Sequence, residues 1–300
     1  MEQLNQLEAA VQAYERNLAE GMPAERRHHA FLKIIELTLA QKKFGTASEL
    51  LQAFFTKYPE EVTSDLALLT LGELHLKQHF AGWETNAAVA VTNSPSATNH
   101  LQLALAHFEK LLKTFTNSAL SGKAFLNKGW CLWTDGKIPE SQVAFRAAAE
   151  QLPFSEEQAV ARFKLADAQF QQGSLTNALR NFRLVINDYS ELPRVKDTLF
   201  DQALYKILLA SGDLGDLAGA SDAMEKILAW YPNSFFSDRS MLLVGQNMTL
   251  AGKPEEARAV FAKFAAHRLP VVLGIAAGAR LCGMRGYKAI SDWAGGLAGC

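Results

Sequence analysis

Small residues recur along this chain at a fixed interval. Ala104, Ser141 and Ala178 lie 37 positions apart, and the same interval separates Ala220 from Ala257. Four positions after each comes a large apolar residue: Phe108, Phe145, Phe182, Met224 and Phe261. A second set of small residues, Gly129, Ala166 and Gly245, precedes Ser141, Ala178 and Ala257 by 12 positions, and between them fall Gly136, Gly173 and Gly252. Pro153, Ser190 and Pro270 close the three units. Self-similarity at a fixed period of this length marks stacked supersecondary units, each unable to bury its apolar face alone.

Each unit reads as helix, turn, helix. Two antiparallel helices approach closely only where a side chain is missing, which places Gly or Ala at the crossing. The intervening glycine ends the first helix in a left-handed conformation at low cost. The large residue on the second helix is expected to pack between neighbouring hairpins. A closing proline cannot continue the helix and turns the chain. The predicted fold is all-α: one right-handed α-α superhelix of about six helical hairpins over residues 1–300, with no strand-period segment.

The template extends outward with departures. Residues 28–270 carry the repeats, including Ile35, Ala47, Leu51, Phe54 and Pro59 in an early unit. Residues 1–27, with Ala10 and Tyr14 and ending near Pro23, read as a half repeat. The next unit has Leu71-Gly72, but Ala104 follows Gly72 by 32 positions, which places a 20-residue insertion, read as a loop, near 81–100. The unit Ala203–Pro232 shows 17 positions where others show 12, so five extra residues are read as a lengthened turn around GDLGDLAGA. Residues 271–300 read as a glycine-rich degenerate cap or a truncated repeat, with Gly286 as a turn and Ala289 and Trp293 on a final helix.

The formal net charge is −1 with charges interspersed. That excludes the lysine and arginine excess with which a sequence-independent nucleic-acid binder neutralises phosphates. The one basic cluster, Arg26, Arg27, His28 and His29, follows Pro23 and reads as a solvated turn. Cys131, Cys282 and Cys300 form no Cys-x-x-Cys pair and no disulfide framework. The N-terminus reads as an amphipathic helix rather than a signal peptide. The apolar stretch Val271 to Ala277 is far short of the roughly 20 residues that span a bilayer. The chain as given is expected to be soluble, without membrane insertion of its own.

Leu71-Gly72, Leu165-Ala166 and Val244-Gly245, each followed on the next helix by a small residue, a large one and a closing turn, resemble the tetratricopeptide repeat. The segment YPNSFFSDRSMLLVGQNMTLAGKPEEARAVFAKF carries the resemblance best. Its Tyr231-Pro232-Asn233-Ser234 hinge and the 37-residue period look like the longer-period repeats of bacterial cell-envelope proteins, among them outer-membrane assembly lipoproteins and the periplasmic coordinator of the Tol–Pal system. A periplasmic or outer-membrane-associated location follows if the chain is part of a longer precursor. Departures from the usual signature include Arg162 and Met241 where an early aromatic is usual, and Leu132, Gln169 and Met248 at a later one. No set of lysines and arginines resembles the carboxylate clamp of chaperone-binding repeats.

The resemblance implies a groove lined by first-helix residues one and four positions beyond the small residue. Here these are Trp130 and Trp133, Asp167 and Phe170, and Gln246 and Thr249. With Phe163 beside them, the two tryptophans would offer an aromatic surface to an extended or helical peptide, tryptophan being enriched at binding hot spots. Core packing inside the stack is the competing reading. The insertion, which holds Trp83, either covers the groove, presents that residue to a partner, or is a simple excursion. His75 and His79 lie one helical turn apart beside Glu73, but the order is not His-Glu-x-x-His and a third ligand is missing, so no metal site is assigned. No nucleophile elbow, phosphate loop or dinucleotide fingerprint is present. No catalytic residue and no cofactor are assigned.

The sequence therefore points to a non-enzymatic scaffold that binds a protein or peptide through the groove or the insertion, and not to a nucleic-acid binder. A structural segment of a larger envelope or multidomain protein, favoured by the half repeat and the glycine-rich end, is the alternative; an enzyme with a dispersed site is a weaker one.

Overall fold

A computed structural model of the chain describes residues 2–19, 21–41, 44–57, 65–86 and 95–266. Pro59, Pro270 and the segment 271–300 with Gly286, Ala289 and Trp293 lie outside the described residues, as does the side chain of Trp83. The chain divides into two compact units, 1–173 and 174–300. Among the described residues every regular element is a helix.

The first unit holds α1 (Glu2–Glu15), a 3-10 turn (Arg16–Leu18), α2 (Ala24–Ala40), α3 (Phe44–Lys57), α4 (Asp65–Asn86), α5 (Pro95–Thr114), α6 (Ser121–Thr134), α7 (Ile138–Gln151) and α8 (Glu156–Gln171). The second holds α9 (Leu175–Asp188), α10 (Pro193–Asp213), α11 (Leu217–Trp230), α12 (Phe235–Leu250) and α13 over 254–266. Within each unit successive helices pack together, as in α4 with α5, α6 with α7 and α10 with α11. First helices of successive hairpins also touch, α4 with α6, α6 with α8 and α10 with α12.

The periodic residues form the core. Ala104, Ser141, Ala178 and Ala220 are fully buried, and Ala257 nearly so. Phe108, Phe145, Phe182 and Met224 are buried with them. The large residue packs against the next hairpin as expected, Phe145 joining Ala161 and Leu165 of α8 and Phe108 joining Ala124 and Cys131 of α6, and it also fills a gap within its own hairpin. The Phe145 ring lies over Gly129 of its own hairpin, where a Cβ would come within 2.6 Å of it, and Phe261 lies likewise over Gly245 at 2.5 Å. Phe108 covers Gly72 in the same way. The missing side chain on the first helix is thus the socket for an aromatic ring on the second.

Gly136, Gly173 and Gly252 take φ of 77°, 73° and 73°. At Gly136 the turn closes with its N–H donating to the Trp133 carbonyl (3.0 Å) and the Lys137 N–H donating to Leu132 (2.9 Å). This double bond satisfies the orphan carbonyls at the end of α6.

Three sequence expectations need correction. The insertion near 81–100 is largely not a loop: its ends continue α4 to Asn86 and start α5 at Pro95, so α4 reaches 22 residues where α6 has 14. The five extra residues near GDLGDLAGA do not lengthen a turn. The turn is Leu214-Gly215-Asp216, with Gly215 at φ 76°, and α10 absorbs the excess at 21 residues against 16 in α8 and α12. Counting seven positions back from Gly215, as at the other turns, reaches Leu208 and not Ala203. Leu208 is fully buried, and the residue 16 positions on is Met224 where other units have Phe over Gly. Finally, the basic cluster Arg26–His29 is no turn; it lies in the first turns of α2, with Arg27 Nη1 donating to the Met22 carbonyl at 2.6 Å.

Candidate functional site

Three first helices of the first unit, α4, α6 and α8, border a cleft of about 600 Å³. Leu76 and Phe80 from α4 and Trp130 from α6 form its apolar wall. Glu73 and Lys77 from α4, Lys123 and Asn127 from α6, and Glu157 from α8 supply its polar groups. The repeat geometry explains the selection. Glu73 and Leu76 stand one and four positions beyond Gly72, and Trp130 stands one beyond Gly129, so Leu76 and Trp130 each border both the cleft and the ring in their own hairpin's socket. The helical extension of α4 contributes Phe80, which is 37% exposed at the rim.

Four of these groups, Glu73, Lys123, Asn127 and Glu157, bind one another. Lys123 Nζ lies 3.6 Å from Glu73 Oε1 and 3.4 Å from Glu157 Oε1, linking all three helices. Asn127 Nδ2 donates to Glu73 Oε1 at 3.1 Å. Partial burial pulls the Lys123 ammonium down, but Glu73 and Glu157 together outweigh it and hold its pKa above the ordinary lysine value. A hydrogen-bonded carboxylate–ammonium–carboxylate bridge of this kind fixes helix spacing and leaves the apolar wall as the surface a guest would bury against.

The two sequence-selected tryptophans are both half-buried and near one another, with a neighbour that sequence reasoning missed. Lys164 Nζ sits 4.8 Å from the Trp130 ring centre and 4.6 Å from that of Trp133. It also reaches Asp167 Oδ2 at 3.5 Å and lies 5.9 Å from the Phe163 ring. The structure therefore brings Trp130, Trp133, Phe163 and Asp167 together around one lysine. Phe163 and Asp167 are buried, whereas Phe170 remains partly exposed. Both indoles also meet the Phe145 ring edge to face, at 6.0 and 6.3 Å, so each has one side in the core. Of the selected residues, Trp130 lines the cleft. Gln246 and Thr249, the corresponding pair on α12, are exposed.

Two further cleft residues were open to the same rule. Applied to Gly72, the one-and-four spacing selects Glu73 and Leu76 directly. Lys123 and Glu157 lie early on their helices, six and nine positions before Gly129 and Ala166, where no repeat position flags them.

His75 is buried, with Nδ1 3.1 Å from Gln78 Oε1 and 3.3 Å from His100 Nδ1. Its ring stacks on His107 at 5.5 Å. Burial, with His75 and Lys110 close by, lowers the His107 pKa to about 4. Burial likewise lowers those of His75 and His100. Neutral, stacked imidazoles are packing groups here, and among the described residues no three His, Cys, Asp or Glu side chains converge to hold a metal ion. Burial pushes the Cys131 thiol up to about 12, which makes it an unreactive core residue.

The fold is that of tetratricopeptide-repeat proteins. Residues 160–191, spanning most of α8 and all of α9, match the family model described as a tetratricopeptide repeat. The crystal structure of YrrB, described as a tetratricopeptide-repeat protein with an unusual peptide-binding site, superposes with a TM-score of 0.52 at 15% identity, covering 76% of this chain and 98% of that one. The apo form of RapI superposes with a TM-score of 0.56 at 11% identity, covering 89% of this chain and 75% of RapI. No curated protein matches the chain in sequence. Within the described residues no helix is long and apolar enough to cross a membrane.

Proposed function

We propose that the chain is a non-enzymatic binding scaffold whose first unit takes a peptide segment of a partner protein in the cleft between α4, α6 and α8. The observation that carries this reading is the cleft itself. Leu76 and Phe80 of α4 and Trp130 of α6 offer apolar surface to a volume of about 600 Å³, while Lys123, Glu73 and Glu157 are paired with one another. An apolar side chain entering there displaces water without breaking the Lys123–Glu73–Glu157 pairing, an arrangement that favours binding. The existence of a peptide-binding site on another protein of this fold, YrrB, agrees with the reading. The tryptophan pair supports the cleft wall: Trp130 faces the cleft, and Trp133 holds Lys164 against it.

The test is selection from a random peptide library on the wild-type chain, followed by binding measurements with Phe80→Asp and Trp130→Ala. Peptides that lose tenfold or more in affinity with both variants support the cleft. Selected peptides that bind both variants as well as the wild type reject it.

A further inference from the structure

Lys164 occupies the kind of place that would hold a cation brought by a partner. Its Nζ lies 4.8 Å from the Trp130 ring centre, 4.6 Å from that of Trp133 and 5.9 Å from that of Phe163. Asp167 Oδ2 is 3.5 Å from the same ammonium. Two indoles, a phenyl ring and a carboxylate are the groups that hold a desolvated cation: ring quadrupoles attract it and the carboxylate neutralises it. Water is largely kept out, with the Lys164 side chain 17% exposed and that of Asp167 10%. Trp130 belongs both to this box and to the apolar wall of the cleft. The chain's own lysine therefore fills the part of that wall that would reward a cationic guest. The cleft carboxylates Glu73 and Glu157 are likewise met by Lys123.

We propose that Lys164 sets the specificity of the first unit: it reserves the cleft for peptides anchored by an uncharged apolar side chain and turns away those anchored by lysine or arginine. This rests on the reading of the cleft as a peptide site. A cationic anchor gives up its hydration on entering, and recovers that cost only where a carboxylate or a ring receives it. Here Lys123 holds the carboxylates and Lys164 holds the rings, so the newcomer meets like charge instead. An uncharged anchor meets neither penalty and packs on Leu76, Phe80 and Trp130. Exclusion of the wrong partner by an unfavourable contact gives discrimination without tighter binding of the right one. Lys164 acts through Trp130 and is a positioning residue rather than part of the cleft lining.

Paired peptides that differ only at the anchor test this on the full chain. One is selected on the wild type, its anchor being the side chain whose replacement by alanine costs most; the other carries lysine there. In the wild type the lysine peptide is expected to bind about tenfold or more weakly. Lys164→Met keeps the length of the side chain and removes its charge, and is expected to shrink that ratio about fivefold or more. Lys164→Gln makes the same measurement should the Met variant fail to fold. Lys164→Arg keeps the charge and is expected to hold the wild-type ratio within about twofold. A ratio unchanged in the neutral variants overturns the proposal, because the apolar wall alone then rejects the cation. Wild-type selection dominated by lysine or arginine anchors overturns it too, as does a ratio that shrinks equally in Lys164→Arg. Phe80→Asp and Trp130→Ala separate this failure from that of the cleft. Selected peptides indifferent to both reject the cleft and this inference with it. Peptides that need both residues, yet keep their anchor ratio in the neutral variants, reject the role of Lys164 alone.

Discussion

Gly129 shows how one absent side chain organises a hairpin. A Cβ there would sit 2.6 Å from Cδ1 and Cε1 of Phe145. The ring cannot move aside, because it is fully buried and both Trp130 and Trp133 meet it edge to face. Gly129→Ala therefore sets better helix propensity, worth about 1 kcal/mol, against overpacking of about 1–3 kcal/mol. Overpacking is expected to win: urea unfolding should show a net loss of stability, and Phe145→Leu in the same background should recover part of it. A stabilised Gly129→Ala variant would mean that the ring is free to shift. Such positions are legible in sequence because burial recurs with the period, which is why Ala104, Ser141, Ala178 and Ala220 all prove buried. Lys164 was not legible. Its placement on two indoles depends on the crossing of α6 and α8, and lysine at a half-exposed helical position ordinarily reads as solvated.

At the scale of elements, the pair α4 and α5 departs most from the repeat and carries a specific pH dependence. His107, His75 and His100 all have pKa values lowered in the folded chain, His107 to about 4. The groups near them are His79, Lys110 and Gln78; Glu73 is engaged by Lys123 and Asn127. Because the folded values lie below the ordinary 6.5, the unfolded chain binds more protons below that pH. Stability of this hairpin is therefore complete above about pH 6.5 and falls as pH drops toward 4. For His107 alone the loss by pH 5 is on the order of 1–2 kcal/mol after allowance for partial solvent screening. Hydrogen exchange corrected for intrinsic rates should show α4 and α5 loosening between pH 7 and pH 5, and His107→Gln should flatten the profile. An unchanged profile in that variant would remove His107 as the cause. The same region shows why element lengths were harder to read than element types. AGWETN and PSATNH lack the apolar stripe that announces an amphipathic helix, yet they continue helices already nucleated and packed. In α10, Ala203 matched the template by size, whereas Gly215 sets the register and puts Leu208 at the crossing.

Across the whole chain, every helix pairing among the described residues joins neighbours in sequence or helices one removed. Stability in such an array is a sum of local terms and nearest-neighbour interfaces, not one cooperative quantity. Phe108→Ala isolates the consequence. The ring is fully buried over Gly72 and belongs to a cluster with Leu68, Leu69, Leu76, Leu101, Leu111 and Cys131, so its loss costs about 3–5 kcal/mol locally. Amides of α4, α5 and α6 are expected to exchange on the order of a hundredfold faster or more, since each 1.4 kcal/mol is a factor of ten when opening is local. Amides of α11 and α12 are expected to keep their wild-type rates, because they belong to the second unit and among the described residues α5 pairs only with α4 and α6. The contrast between the two regions is the measurement. If protection falls equally from α4 to α12, the chain unfolds as a single two-state body, and the period that organises its sequence does not divide its stability.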